Sequence, residues 1–504
     1  MELRKGEIDL SRDELDETKI DHPFVTDIHE NERRIIERVG IGESFDVGIR
    51  KIHVLDKEVQ FYFVNGLCDI EYIIELLKEL MFLDATERKR TNKVREQIEN
   101  RLTHVQVEYA DTLDTAIKQM LSGLIFILIE GEAEAIVIDV RSYPGRGPEE
   151  PDTERVVRGS RDGYTENIIE NTALTRRRIR DERLRNEMMQ VGRRSKTDIC
   201  LSYIKGVADP DLVNIVRKEL EAIDIDGLTM ADKVVEEFVV KQGINPFPMV
   251  RYTERPDVAA THLLEGHVIL FVDTSPSIIV FPATFFHHVQ HAEEYRQAPI
   301  VGTFFRWVRF SGMIFALFIL PLWLLMVLEP SLIPEQLHYI GPEETTNVPI
   351  FAQMLFAELG IELLRMAAIH TPSPLATALG LVAALLIGEI AIEVGLLVPE
   401  VILYVAFAAI GMFATPSYEM AIALKILRIA VLIAVALFKV PGFVIATTVF
   451  FILIARTKPL NAPYLWPFLP FYPKAFWDIL IRQPIPLKRR RPSIVKPKDP
   501  IKQS

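Results

Sequence analysis

Between Phe310 and Leu328 the chain runs nineteen residues without a charged side chain, FSGMIFALFILPLWLLMVL. At 1.5 Å rise per residue, a helix of that length just crosses the hydrocarbon core of a bilayer, where only a helix or a closed barrel satisfies every backbone group. A membrane-spanning helix is therefore expected here. Before it lies a charge-rich body, and after it most of the sequence to Ala455 is apolar again. The composition fits that division. A mean hydropathy of +0.18 is high for an ordinary soluble chain, whereas 25% charged residues is too many for a pure bundle of spans.

The charge is unevenly spread. From Arg456 to Ser504, eleven Lys and Arg face only Asp478 and Asp499, a net of +9 that leaves −21 on the rest of a chain whose total is −12. This tail, with KRRR at 488–491, belongs on the cytoplasmic side by the positive-inside rule, and Arg306 and Arg309 say the same of the N-terminal body. Both termini on one side require an even number of crossings. The opening MELRKGEIDLSRDELDE holds no apolar signal-peptide core, so the N-terminal module is expected to remain cytoplasmic. Cys68 and Cys200, in a reducing compartment, read as buried thiols.

Strand and helix patterns alternate through the charged half. Residues 44–65 read as two strands around a polar turn at Asp56 and Lys57, followed by the amphipathic helix IEYIIELLKELMF. A strand near His104 to Glu108, a helix from Asp111, and the pair LIFILIE and AIVIDV complete a first lobe, 1–141. Pro, Gly and charge between Ser142 and Arg161 mark a linker. In the second lobe, 162–305, the charged stretch Glu166 to Gly192 reads as helix, as does Asp209 to Gly243, and HVILFVDTSPSIIVF reads as a hairpin. The expected architecture is a two-lobed α/β cytoplasmic module, then an all-α membrane domain over 306–456 with about four spans, then a basic cytoplasmic tail over 457–504.

Four blocks make the chain more specific than this: RGSRDGYTENIIENTALTRRRI (158–179), PFPMVRYTERPDVAATHLLEGHV (246–268), IELLRMAAIHTPSP (361–374) and NAPYLWPFLPFYP (461–473). Together they resemble the A subunits of bacterial spore germinant receptors, the GerA family, over roughly residues 40–492. The opening SFDVGIRKIHV and the overall length are most similar to the branch named for stage V of sporulation. Two positions depart from the family pattern, Ser160 within Gly159-Ser160-Arg161 and Met366 within Arg365-Met366-Ala367. The resemblance implies a multi-pass protein of the inner spore membrane of an endospore former. It also implies an oligomeric, ligand-gated cation channel subunit that mediates or amplifies ion release, working with other copies of itself, other germination membrane proteins and membrane lipid. On the same resemblance, Thr253, Glu254, Arg255, Pro256 and Asp257, with Glu265 and Gly266, and Gly163, Glu166 and Asn167, are family-motif positions with structural or inter-subunit roles. Glu254, beside Arg255 and ahead of Pro256, is placed for a bidentate pair with that arginine.

A channel can be examined through the charges inside apolar segments. Glu389 and Glu393 stand four apart in LGLVAALLIGEIAIEVGLLV and so share one helical face. A carboxylate at bilayer centre costs on the order of 2.5–3.5 kcal/mol and must face water or a partner. Lys425 and Arg428, three apart, are candidate partners, and Glu358, Glu362 and Arg365 share a face of an upstream helix. A ring of such acids in a homo-oligomer would form a cation path. The same residues could equally lock helices together as a static ion-pair network. Gly380, Gly388, Gly395 and Ala384 permit close helix approach. Lys439-Val440-Pro441-Gly442 breaks the stretch Ile429 to Ala455, as expected of a re-entrant turn or a cavity lining.

Other chemistry is less well supported. His287, His291 and Glu294 share a face of FFHHVQHAEEY at a spacing able to hold a transition metal, but such a site normally needs another ligand and a polar juxtamembrane face explains them equally well. The arginines at 176–178 and 193–194 suit a solvated face or an inter-lobe contact better than lipid headgroups. No dinucleotide, phosphate-loop, zinc-protease or serine-hydrolase motif is present. No enzyme activity, cofactor, metal or nucleic-acid partner is expected. The rival readings are a secondary transporter, for which matched interrupted halves are missing, and a non-conducting scaffold for other germination proteins.

Overall fold

The computed structural model describes residues 22–82, 94–99, 102, 107–143, 154–334, 336, 340–342, 348–370 and 388–502. In the first lobe, β1 (Val47–Val54) and β2 (Lys57–Val64) form a hairpin whose turn, Leu55 and Asp56, has positive φ at both residues (49° and 69°), the geometry that matches strand twist. With β3 (Val107–Ala110), β4 (Ile125–Ile129) and β5 (Ala135–Ile138) they build a five-stranded antiparallel sheet ordered β1-β2-β4-β5-β3. Four helices accompany it: α1 (Ile28–Val39), α2 (Ile70–Met81), α3 (Val94–Glu99) and α4 (Leu113–Met120). Asp27, Asp69 and Thr112 cap three of them, each side chain accepting an otherwise orphaned N–H. β4 and β5 are buried along their whole length because helices or loops cover both faces of the sheet.

The second lobe repeats this plan. β6 (Leu184–Val191), β7 (Thr197–Ile204), β8 (Arg251–Thr253), β9 (Val268–Val272) and β10 (Ile278–Phe281) lie in the order β6-β7-β9-β10-β8, all antiparallel. Helices α5 (Ile168–Arg178), α6 (Pro210–Glu221), α7 (Ala231–Val240) and α8 (Pro256–Glu265) fall at the corresponding places. The match runs residue for residue through β3-α4-β4 and β8-α8-β9. Tyr109 pairs with Ile136 as Tyr252 pairs with Ile279, and Gly123, three residues beyond α4, and Gly266, the C-cap of α8, have φ of 94° and 99°, a left-handed conformation that favours glycine. The expectation of helices over Glu166 to Gly192 is corrected here. Residues 184–191 form edge strand β6, whose Arg185 and Asn186 are buried against the first lobe while Gln190 is exposed.

The lobes are joined by buried polar contacts. Arg176, 0% exposed, reaches Asp46, 1% exposed, through Nε at 2.9 Å, and also bonds the Leu184 carbonyl, while Asn186 Nδ2 donates to the same carboxylate at 3.0 Å. Of the two readings given for the arginine run, Arg176 takes the inter-lobe contact. Arg178 pairs with Asp162, and Arg193 and Arg194 form exposed pairs with Asp224 and Asp226.

The C-terminal part is helical: α9 (Ala292–Arg296), α10 (Pro299–Leu328), α11 (Ile350–His370), α12 (Pro399–Phe413), α13 (Tyr418–Arg456) and α14 (Pro473–Leu480). Among the described residues, α10 and α13 are long and apolar enough to cross a membrane. α10 and α12 touch at Gly312 and Gly411, where a Cβ on Gly411 would lie 2.2 Å from the Gly312 carbonyl oxygen. Close approach thus falls on these glycines. Gly388 and Gly395 have open space around them, and Gly380 and Ala384 lie outside the described residues.

The 39 residues of α13 would span about 58 Å as one rod, far beyond a bilayer. The chain instead turns at Lys439, whose φ of 53° and ψ of −128° are not helical. Along a straight helix residues 434 and 442 would be about 12 Å apart. A Cβ on Gly442 would lie 2.0 Å from the Ala434 carbonyl oxygen, so the two arms fold back as a hairpin. At its tip Lys439 Nζ pairs with Glu329, just beyond the end of α10, at 2.8 Å.

Candidate functional site

The charged residues of the helical part assemble into one ladder. Arg428 donates to Glu358 Oε2 at 2.8 Å, and Lys425 Nζ lies 3.4 Å from the same carboxylate, 3.1 Å from the Glu358 carbonyl and 2.7 Å from Glu362 Oε2. Arg365 then pairs with Glu362 and stacks on the Tyr418 ring, its guanidinium carbon 4.9 Å from the centroid. Arg428 also donates to the Ala316 carbonyl, tying α10 to the contact between α11 and α13. Glu358, Lys425 and Arg428 are 2%, 6% and 2% exposed, so the ladder is a buried lock in which each charge answers another. Apolar side chains of these helices surround it, among them Leu320, Leu324, Val431 and Leu432.

Glu389 and Glu393 are not its acids. Both are exposed on residues 388–393, which end in a turn at Val394 and Gly395, and neither has an ion pair among the described residues. The pairing with Lys425 and Arg428 considered from the sequence is therefore corrected: those cations take Glu358 and Glu362. Glu389 and Glu393 sit toward the end of the bundle where Gln353 Oε1 accepts the Val398 N–H at 2.8 Å. The opposite end meets the lobes, where Lys233 of α7 reaches Glu419 at 3.5 Å.

The TERPD segment is a clamp. Arg255, fully buried, forms its bidentate pair with Asp257, Nε to Oδ1 and Nη2 to Oδ2 both at 3.1 Å, and not with Glu254 as expected. Its remaining donors take the carbonyls of Glu154 at 3.0 Å and Ser160 at 2.9 Å, pinning the end of the inter-lobe linker. Thr253 Oγ1 donates to Glu154 Oε2 at 2.5 Å, Pro256 opens α8, and the Glu254 carbonyl accepts the Tyr164 N–H at 2.8 Å. Burial pushes the Asp257 carboxyl up, but Arg255 and then Arg296 overcome it and hold the group below its usual range. Of the other motif positions, Asn167 caps α5, the exposed Glu166 offers its carbonyl to the Thr274 N–H, and Gly163 is buried beside Tyr164. Glu265 accepts from Lys502 of the tail at 2.9 Å, and Gly266 ends α8.

The His287, His291 and Glu294 grouping does not form. Glu294, 0% exposed, is held by Arg306 and Arg309, and Arg306 also bonds the Asp478 and Ile479 carbonyls, so the acid joins lobe, first long helix and tail. His287 turns toward His262 and His267, with ring centroids 5.6 and 5.3 Å away.

A family model described as Bacillus/Clostridium GerA spore germination protein matches residues 34–494. Stage V sporulation protein AF of Bacillus subtilis (strain 168) is 59% identical over 473 residues, covering 94% of this chain and 96% of that protein. Spore germination protein KA of the same organism is 29% identical over 469 residues, covering 92% and 86%. The crystal structure of the N-terminal domain of the A subunit of the Bacillus megaterium spore germinant receptor GerK3 aligns with a TM-score of 0.42 and 27% identity, over 53% of this chain and 99% of that domain. This chain belongs to the GerA family of spore germination proteins.

Proposed function

We propose that this chain is a multi-pass subunit of the inner spore membrane that assembles with further copies of itself into a cation pathway opened during germination. The observation that carries the reading is the division of charge just described. Lys425 and Arg428 are satisfied by Glu358 and Glu362, whereas Glu389 and Glu393 share an exposed face at the end of the bundle remote from the lobes, without an ionic partner among the described residues. Unpaired acids beside apolar helices require water or a cation. Repeated around a symmetry axis they make an acidic mouth that favours cations.

Exposed apolar side chains support the membrane setting. Phe315, Leu322, Leu359, Ile433, Val444 and Phe451 point outward from the long helices, where lipid or a neighbouring protomer would cover them. Contact of Glu419 with Lys233 of lobe 2 at one end of the first arm of α13, and of Lys439 with Glu329 at the other, agrees with an arm that runs away from the lobes across a membrane. Full-length protein reconstituted in planar bilayers should give cation-selective single-channel currents, with a homo-oligomeric mass in detergent. Oligomers that stay silent under every germination stimulus would favour the scaffold reading, for which the closed Glu358 to Arg428 lock is the supporting observation.

A further inference from the structure

We propose that His262, Glu265 and His267 form a binding site for a divalent first-row transition metal ion where the second lobe meets the C-terminal tail. This goes beyond the channel reading and concerns a different part of the molecule. His262 and Glu265 lie one turn apart on α8, Gly266 ends that helix in the left-handed region, and His267 leads into β9. One ligand atom from each of the three lies within 4.8 Å of the others, and the two imidazoles meet edge to face at 4.7 Å. Two nitrogens and a carboxylate oxygen, with room for one more donor, make a set suited to tetrahedral zinc or its neighbours.

The protonation pattern fits ligation. His267 Nδ1 lies 3.2 Å from the Phe281 carbonyl and can only donate to it, which leaves the lone pair on Nε2. That Nε2 is buried with no hydrogen-bond partner among the described residues, and so is His262 Nδ1. A metal ion would give both nitrogens a partner. His287 stands beside the two rings without ligating: its Nδ1 accepts the Thr284 N–H at 3.1 Å, so in the neutral ring the proton sits on Nε2 and neither nitrogen offers a free lone pair.

The first lobe is an internal control. In the same fold, Gln119, Ser122 and Leu124 stand where His262, Glu265 and His267 stand. The helix, the left-handed glycine after it and the following strand form without the ligands, so the fold does not explain the choice of two histidines and a glutamate. The tail covers the site: Lys502 pairs with Glu265, Arg491 donates to the Leu264 carbonyl and Lys498 N–H to the Val207 carbonyl. A bound ion would compete with Lys502 of the tail for Glu265.

Full-length protein in detergent, stripped with chelator, is titrated with Zn²⁺ against a chromophoric competitor, and with Co²⁺ followed by visible absorption. The expected result is about one equivalent bound with a tetrahedral cobalt spectrum. The variant His262→Gln, Glu265→Ser, His267→Leu carries the first lobe's residues and should keep its metal-free melting temperature while losing affinity at least ~100-fold. His267→Ala alone should lose the tetrahedral cobalt bands. Failure of the wild type to bind beyond adventitious levels, or a triple variant that binds as tightly as the wild type, would overturn the proposal.

Discussion

A fully buried arginine is expensive unless its donors are placed, and Arg255 shows how the chain places four of the five. Two donors meet Asp257 and two meet linker carbonyls, so the charge is neutralised and the linker located by one side chain. Asp257→Asn should destabilise the soluble half by about 3–5 kcal/mol, because it strands the guanidinium without its counter-charge. The acid limb checks the assignment. Asp257 is depressed in the fold, so its stabilisation is complete above the unfolded value near 3.9 and is lost as pH falls through the lower folded value. The wild type should therefore lose stability in that window and the Asn variant should show a flatter limb, as measured by chemical denaturation between about pH 5 and 3. A variant as stable as the wild type would remove the clamp from the account. From the sequence, an acid beside Arg255 was legible as its partner, but Glu254 is adjacent and Asp257 only two residues on, so spacing alone does not choose between them. Only the start of α8 at Pro256, which turns Asp257 back beneath the guanidinium, decides between them.

Among elements, the long helices were the most legible, since an uncharged run has few alternatives. Edge strand β6 was hidden because Arg185, Asn186 and Glu187 break its apolar alternation, and their partners Glu43, Asp46 and Arg217 are distant in sequence. The lobe repeat was hidden for a related reason: geometry is shared through paired tyrosines and left-handed glycines while most side chains differ. The break at Lys439 to Gly442 was visible, but its consequence was not. A hairpin requires that nothing larger than hydrogen stand on Gly442, where a Cβ would meet the Ala434 carbonyl at 2.0 Å. Gly442→Leu should force the arms apart, lowering the melting temperature of the purified protein and exposing residues near the tip to proteolysis. Lys439→Gly should be tolerated, because glycine adopts the positive φ without strain and the exposed pair with Glu329 contributes about 0–1 kcal/mol. The opposite ranking of the two variants would contradict the hairpin.

At the scale of the whole molecule, buried ionic contacts join the parts: Arg176 with Asp46 between lobes, Glu294 with Arg306 between lobe and first long helix, and the Glu358 to Arg428 ladder within the bundle. Each of these acids is used up in holding the fold. Glu389 and Glu393 are the exception among the acids proposed for the membrane, and on them the cation-pathway reading rests. The sequence picked out all the members of this set but could not sort locks from free acids, since the sorting depends on which helix faces which. The direct test compares two variants of the reconstituted full-length protein for cation flux and thermal stability together. Glu389→Gln with Glu393→Gln should reduce flux at least ~10-fold with an unchanged melting temperature, whereas Glu358→Gln should unfold the bundle by about 3–5 kcal/mol through its stranded cations. Unchanged flux in a stable Glu389→Gln, Glu393→Gln variant of a conducting protein would contradict the account.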